Sequence, residues 1–116
     1  MAIPDEAVEG LEERLKALDT LASGRPGLRT LVIQAFLRQG EDALATIRRA
    51  LLQRDGDALA EAAHGLYGSA ALLGVHALAE SVGELATLAR QGNLEGCEAR
   101  LPWMESAFRD AAGRMK

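Results

Sequence analysis

Aromatic residues are scarce in this chain of 116 residues, which has one tryptophan, one tyrosine and two phenylalanines. Apolar residues nevertheless make up 48% of the sequence, and most of them are leucine and alanine. Both favour helices, whereas β-branched residues, which favour strands, are scattered singly and form no alternating run. The composition therefore predicts an all-α protein and offers no candidate strand.

Cysteines, basic clusters and long apolar runs are also lacking. The single cysteine, Cys97, excludes an internal disulfide and a cysteine-rich metal site, and it is typical of a reducing compartment. The net charge is −4 and the basic residues are spread out, so no patch indicates nucleic acid binding. No apolar run approaches the roughly 20 residues of a membrane span, and the acidic N-terminus is unlike a signal peptide. These absences predict a cytoplasmic protein with no nucleic acid or membrane partner.

Apolar spacing predicts five helices in a single domain, residues 1–116. The first helix is expected at about 5–22, before a segment rich in glycine and proline. The second carries apolar residues along one side from Leu28 to Leu52, and Gly40 is a point where it could bend.

Three short turns separate the later helices, and each contains residues that cap or end a helix: Asp55-Gly56-Asp57, Gly74, and Gly92-Asn93. The predicted third and fourth helices cover about 57–73 and 75–91. The fifth follows Asn93 and is expected to bend at Pro102. Short links make neighbouring helices antiparallel, so we predict an up-down four-helix bundle over about 26–114, with the N-terminal helix across one end or side.

Residues 63–74 carry the chemical signal of this sequence. His64 falls off the line of residues that a helix would bury here, and it is expected to face solvent. That line consists of Leu59, Ala62 or Ala63, Leu66, Ser69 or Ala70, and Leu73. The neighbours of His64 one turn away include Ala60 and Gly68, both of them small.

Gly65 and Gly68 each disfavour a helix interior by about 0.5–1 kcal/mol relative to alanine. Glycines tolerated beside an exposed imidazole indicate that another molecule approaches the ring closely. A neutral imidazole nitrogen can attack phosphorus, and phosphoryl transfer depends mainly on positioning and charge neutralisation. The chain lacks clustered carboxylates for Mg²⁺, so the metal would come from a partner. These residues fit a phosphoryl carrier with no autonomous catalytic activity. From spacing alone they also fit an ordinary surface or packing histidine, which is the commoner role of a lone histidine on a helix.

The segment His64-Gly65-Leu66-Tyr67-Gly68-Ser69, followed by Leu73-Gly74, resembles the His-x-Leu-Lys-Gly-Ser…Leu-Gly signature of histidine-phosphotransfer domains. The likeness covers about residues 28–110, including the flanking turns and the proline of the last helix. It implies that His64 accepts a phosphoryl group from a receiver-domain aspartate and passes it to another. The implied partners are response-regulator receivers, a hybrid sensor histidine kinase, or both. Mg²⁺ is expected on the receiver, and the chain is expected to bind no cofactor and to be a monomer.

The resemblance also implies roles for the neighbours of His64. Gly68 gives the receiver access, Ser69 lies behind the ring on the core side, and Ala60 and Ala71 belong to the docking face. One position departs from the family, because Tyr67 stands where the family usually has lysine. Tyr67 brings no positive charge to the phosphoryl oxygens, although its hydroxyl could donate a hydrogen bond. No other lysine or arginine lies within one turn of His64 on the same helix.

Two other functions fit the same residues. An unphosphorylated bundle could bind a receiver, kinase or enzyme through the His64/Tyr67/Gly68 face, with Tyr67 as an aromatic anchor. A hydrolytic or transferase enzyme would need a second acid or base beside His64. Only Glu61 could hydrogen-bond and orient the imidazole, and a solvated glutamate is the simpler interpretation. The other reactive or aromatic candidates have simpler roles. His76, near a helix start, is expected to be an ordinary surface or packing residue, and Cys97 a partly buried packing residue. Trp103 is expected to fill the core or a bundle end.

Overall fold

The computed structural model describes residues 10, 12–17 and 27–115, and every regular element among them is a helix. Residues 10 and 12–17 belong to a first helix, α1. The other elements are α2 (Leu28–Leu52), α3 (Gly56–Leu72), α4 (His76–Arg90) and α5 (Leu94–Met115). The predicted all-α fold is confirmed. The predicted ends of the first helix, near residues 5 and 22, lie outside the described residues.

Links of three residues join α2 to α3, α3 to α4, and α4 to α5, so each helix runs antiparallel to the one before it. Each of these pairs packs together, and α5 also contacts α2, which closes the bundle. An ion pair between Arg48 of α2 and Glu105 of α5 links these two helices, the first and the last of the bundle. The four-helix bundle predicted from the short links is therefore confirmed.

The turns form through the capping residues that the sequence predicts. The Asp55 side chain accepts a hydrogen bond from the backbone N–H of Ala58 at 3.1 Å. Asn93 does the same for the N–H of Gly96 at 2.9 Å. Gly74, after the end of α3, has φ +75°, a backbone conformation that glycine adopts without strain. These caps fix where α3 and α5 begin and where α3 ends.

The core follows the predicted line on α3, but α2 is less buried than its apolar residues suggest. Leu31 and Leu52 were expected on the buried side, yet 64% and 86% of their surfaces are exposed. The buried side of α2 runs instead through residues spaced by three or four: Phe36, Gly40, Leu44, Ile47 and Leu51. At about 100° per residue, Leu52 lies about 100° and Leu31 about 140° around the helix from this line. Both leucines therefore point away from the bundle.

Gly40 has a packing role that the sequence alone does not predict. The ring of Phe108, on α5, occupies the space that a Cβ at Gly40 would need. Phe108 also lies beside Phe36, with ring centroids 6.3 Å apart. α2 is a single helix from end to end, so its glycine serves as a seat for an aromatic ring from the opposite helix.

Candidate functional site

His64 lies near the middle of α3 on the side that faces solvent. The exposed residues of this side recur about once per helical turn, as one face of a helix requires: Glu61, the adjacent pair His64 and Gly65, Gly68, and Leu72. The opposite side of α3 is anchored by side chains with almost no exposed surface: Leu59, Ala63, Leu66 and Ala70. The burial pattern of α3 thus fixes the imidazole on the outside of the bundle.

An open groove of about 350 Å³ runs between α3 and α4 on one side of His64. Its lining residues come from both helices: His64, Tyr67, Gly83, Ala86, Thr87 and Arg90. The rings of His64 and Tyr67 lie 6.3 Å apart at 27° to each other. Tyr67 leans on α4 at Gly83, where a Cβ would come within 3.2 Å of the ring. Glycine at this position therefore lets Tyr67 form a wall of the groove.

Arg90 brings a positive charge to the groove that holds His64. It stands in the last turn of α4 and is exposed. Within the described part of the chain, no ion pair or hydrogen bond engages its guanidinium. The sequence alone does not point to Arg90, because only the packing of α3 on α4 brings position 90 close to position 64.

On the other side of His64, α3 is tied to α2 by Gln39. The Gln39 amide donates a hydrogen bond to the Gly65 carbonyl at 3.3 Å and accepts one from the Ser69 hydroxyl at 2.7 Å. Ser69 is half-buried and turned towards α2. The two bonds attach α3 to α2 at residues that lie within one or two helical turns of His64. Gln39 is a second residue that sequence reasoning missed, since its partners lie 26 and 30 positions away.

A second groove, of about 430 Å³, lies on the α2–α3 side, and the charged residues that line it are acidic. Asp42 from α2 and Glu61 from α3 both line it. Glu61 is exposed, and within the described residues it makes no hydrogen bond to His64. The orienting role considered for Glu61 is therefore not visible in this arrangement.

Gly65 and Gly68 are exposed, helical and surrounded by open space. A Cβ at either position would meet no atom within 4 Å, and neither glycine has a positive φ. They differ in this from Gly40 and Gly83, which make room for the Phe108 and Tyr67 rings. Nothing in the described fold therefore requires glycine at positions 65 and 68.

The remaining predicted docking residues differ in exposure. Ala60 has 7% of its surface exposed, so it offers a partner little area. Ala71 is half-buried and Tyr67 is 40% exposed. Their roles in docking stay predictions.

The other candidate residues do not gather into a second site. Cys97 is almost fully buried, and burial raises the pKa of its thiol, which disfavours the reactive thiolate. Trp103 was expected to fill the core or a bundle end, but it is nearly half exposed on the α4–α5 surface. Among the residues that the structure describes, no group of three or more histidine, cysteine or acidic side chains could hold a metal ion. None of the described helices is long and apolar enough to cross a membrane.

Fold and site together define a class of protein: an antiparallel four-helix bundle with an exposed histidine in the middle of α3, its second helix. The family model of the Hpt domain matches residues 31–115, and the chain therefore belongs to the family of histidine-phosphotransfer domains. Hpt proteins work with response-regulator receivers and kinases in phosphorelays, so the chain has a histidine-phosphotransfer role.

A solved structure of the same class is also similar. It is the crystal structure of histidine-containing phosphotransfer protein B (HptB) from Pseudomonas aeruginosa, with 25% sequence identity and a TM-score of 0.81. The match covers 90% of this chain and 88% of HptB. A search of curated proteins found no significant match.

Proposed function

We propose that the chain carries a phosphoryl group on His64, accepting it from the aspartate of one receiver domain and passing it to the aspartate of another. The observation that carries this proposal is the pair of exposed glycines, Gly65 and Gly68, beside an exposed imidazole. Each disfavours the helix by about 0.5–1 kcal/mol relative to alanine, and neither is required by packing or by backbone conformation. A clearance that the fold does not need suits a partner protein that must reach the ring.

In the proposed reaction, an imidazole nitrogen of His64 attacks phosphorus with its lone pair. The N–P bond forms as the bond from phosphorus to the aspartyl oxygen breaks, and the carboxylate leaves with the electron pair. The same exchange in reverse delivers the phosphoryl group to the next aspartate. No co-reactant is consumed, and catalysis depends on in-line positioning and on neutralising the phosphoryl oxygens.

Mg²⁺ is proposed to come with the receiver. Glu61 is the acidic residue nearest to His64 along α3, and it lines the groove on the α2 side together with Asp42. Two carboxylates in an open groove are a sparse ligand set for Mg²⁺, which favours octahedral oxygen coordination. The receiver's own acidic site would then hold the metal against the phosphoryl group during transfer.

The proposed receiver docks along the exposed side of α3. Leu72 lies two turns beyond His64 on this side, and 76% of its surface is exposed. Gly68 stands between them and adds no side chain that would keep a partner away. An exposed leucine beside a glycine is a suitable anchor for a partner's apolar surface, and it lies about two helical turns from the transfer site, His64.

Phosphoryl transfer from purified, ³²P-labelled receiver domains tests the proposal, with wild type compared to His64→Gln. We expect acid-labile label on the wild-type chain and none on His64→Gln, while His76→Gln, a change in the other histidine, keeps the label. Both variants should keep the helical circular dichroism of the wild type, because both histidines are exposed. A receiver that binds tightly without labelling the chain would overturn the carrier function in favour of an unphosphorylated interaction module.

The cytoplasmic location, the monomeric state and the extent of a single domain also belong to this proposal. A monomer leaves the exposed side of α3 open to a receiver, and the single buried cysteine suits a reducing compartment. Sedimentation of the purified chain alone, and with a receiver, checks the oligomeric state.

A further inference from the structure

We infer that Arg90 supplies the positive charge that holds the phosphoryl group of phosphorylated His64, in the groove between α3 and α4. This inference rests on the proposed phosphorylation of His64. It gives a role to a residue on a different helix, 26 positions further along the chain, and it places the phosphoryl group on one particular side of α3.

Shared lining is the first support. His64 and Arg90 line the same open groove of about 350 Å³, a volume larger than that of a phosphoryl group. Tyr67 forms the wall next to His64, and it can do so because Gly83 leaves space for its ring. The groove is therefore shaped by contacts among its own residues and is open at the surface where a phosphoryl group would arrive.

Among the polar groups of this groove, Arg90 is the one available to bind a phosphoryl group. The hydroxyl of Thr87 already donates to the Gly83 carbonyl at 3.1 Å within α4. The guanidinium of Arg90 has no ion pair or hydrogen bond among the described residues, and its planar fork can donate two hydrogen bonds to phosphoryl oxygens. Arg90 is thus free to turn towards a dianion on His64.

Charge separates the two sides of His64. Asp42 and Glu61 line the groove on the α2 side, where they would repel a dianionic phosphoryl group. Among the described residues that line either groove, Arg90 is the only arginine or lysine. The electrostatic preference is therefore for the α4 side.

A structural role offers a simpler account of Arg90. A basic residue in the last turn of a helix interacts favourably with the helix dipole, whatever its neighbours. Arg49 has this position at the end of α2, is exposed, and makes no ion pair or hydrogen bond within the described residues. Arg49→Ala is therefore a matched control, since it removes the dipole contribution without touching the groove.

The lifetime of the phosphohistidine separates the two accounts. Hydrolysis of an N–P bond passes through a loose, metaphosphate-like state in which the phosphoryl group has lost part of its negative charge. A cation on the phosphoryl oxygens stabilises the starting dianion more than this state, and so it slows hydrolysis. Removing Arg90 should shorten the lifetime by roughly 1.4- to fivefold, the range for an exposed charge pair of about 0.2–1 kcal/mol.

The experiment uses the full chain and a small donor, phosphoramidate. An imidazole nitrogen displaces ammonia from phosphorus, so no receiver is needed to load His64. The phosphorylated protein is separated from the donor, and ³¹P NMR follows both its half-life and the pH at which the phosphoryl group takes up a proton. We expect Arg90→Ala to shorten the half-life and to raise that pH, and Arg49→Ala to change neither.

Compensation makes the test specific. Tyr67 lines the same groove, so Tyr67→Lys in the Arg90→Ala background should return a cation to it and restore much of the half-life. An unchanged half-life and phosphoryl titration in Arg90→Ala would overturn the role of Arg90 while leaving His64 as the carrier. A wild-type chain that neither phosphoramidate nor any receiver labels would overturn both proposals.

Discussion

The two sides of α3 differ although they flank the same imidazole. On the α2 side, Gln39 bonds to Gly65 and Ser69, and the neighbouring groove is acidic. On the α4 side, Tyr67 lies against Gly83, and the groove is also lined by Arg90, whose guanidinium has no partner among the described residues. One side thus fixes the helix and the other leaves a charged group ready for a ligand. The difference teaches that the position of His64 and the stabilisation of its phosphoryl group are divided between two neighbouring helices.

Gly68→Gln should produce the largest effect, because it places a long side chain beside His64 on the exposed side of α3. We expect transfer from a receiver to slow by about a hundredfold, the order of loss that a misplaced reacting group causes. The same change should raise the free energy of unfolding by about 0.5–1 kcal/mol, since glutamine favours a helix more than glycine does. Rapid-quench labelling and urea unfolding measure the two quantities.

Gly113→Gln is the control for this change. Gly113 is also exposed and helical, and a Cβ there would meet no atom within 4 Å. The control should keep the normal transfer rate, whatever it gains in stability. If Gly68→Gln transferred as fast as Gly113→Gln, the clearing beside His64 would have no role in the approach of a partner.

Leu72→Glu tests the proposed anchor at the next position along the same side. A charge in place of a desolvated leucine should weaken receiver binding by about tenfold or more, the scale of an interface hot spot. Because 76% of Leu72 is exposed, the free energy of unfolding should stay within about 0.5 kcal/mol of wild type. Calorimetric titration with an unphosphorylated receiver measures the affinity.

Leu52→Glu is its counterpart at the end of α2, where 86% of the leucine is exposed. Leu52 borders a groove formed with α5 and does not line either of the two grooves described beside His64. Receiver affinity should be unchanged in this variant. Equal losses in both variants would show that binding follows overall charge and does not depend on the α3 side.

Gln39→Ala probes the side that fixes the helix. It removes two hydrogen bonds between α2 and α3, and we expect the free energy of unfolding to fall by about 0.5–1.5 kcal/mol because both lie near the surface. Hydrogen exchange at the backbone amides of residues 64–69 should become faster, because α3 is held less firmly to α2. The phosphohistidine half-life should remain near the wild-type value, which would be contradicted by a loss as large as that of Arg90→Ala.

Glu61→Lys should have the smallest effect on the phosphohistidine. Combined with Arg90→Ala, which removes the cation on the α4 side, Glu61→Lys adds one on the α2 side of α3, in the groove that Asp42 also lines. We expect the half-life to stay short there, in contrast to Tyr67→Lys on the α4 side. Rescue by both lysines would mean that any nearby cation suffices and that the two sides are equivalent.

The features that the sequence predicts well depend on local chemistry. Asp55 and Asn93 cap their helices, Gly74 ends α3, and the periodicity of α3 places His64 outside, because each of these depends on residues within one or two turns. The exposure of Leu31 and Leu52 escaped prediction, since an apolar stripe wider than the contact with neighbouring helices leaves its margins in solvent.

Features that depend on the register between helices could not be predicted in this way. Gly40 looks like a weak point in α2 until Phe108 is packed on it. Arg90 and Gln39 reach the surroundings of His64 only through the pairing of α3 with α4 and with α2. Tyr67 replaces the lysine of the family signature, which leaves α3 without a cation near His64, but the sequence does not show which residue of another helix lies close to the imidazole.

Return transfer tests the central claim most directly. The chain is loaded with ³²P from one receiver, separated from it, and mixed with a second, unlabelled receiver and Mg²⁺. The account predicts that the label leaves His64, appears on the second receiver's aspartate, and returns the chain unmodified and ready for another round. Label that stays on the chain, or leaves it only as inorganic phosphate with every receiver tried, would contradict the carrier function.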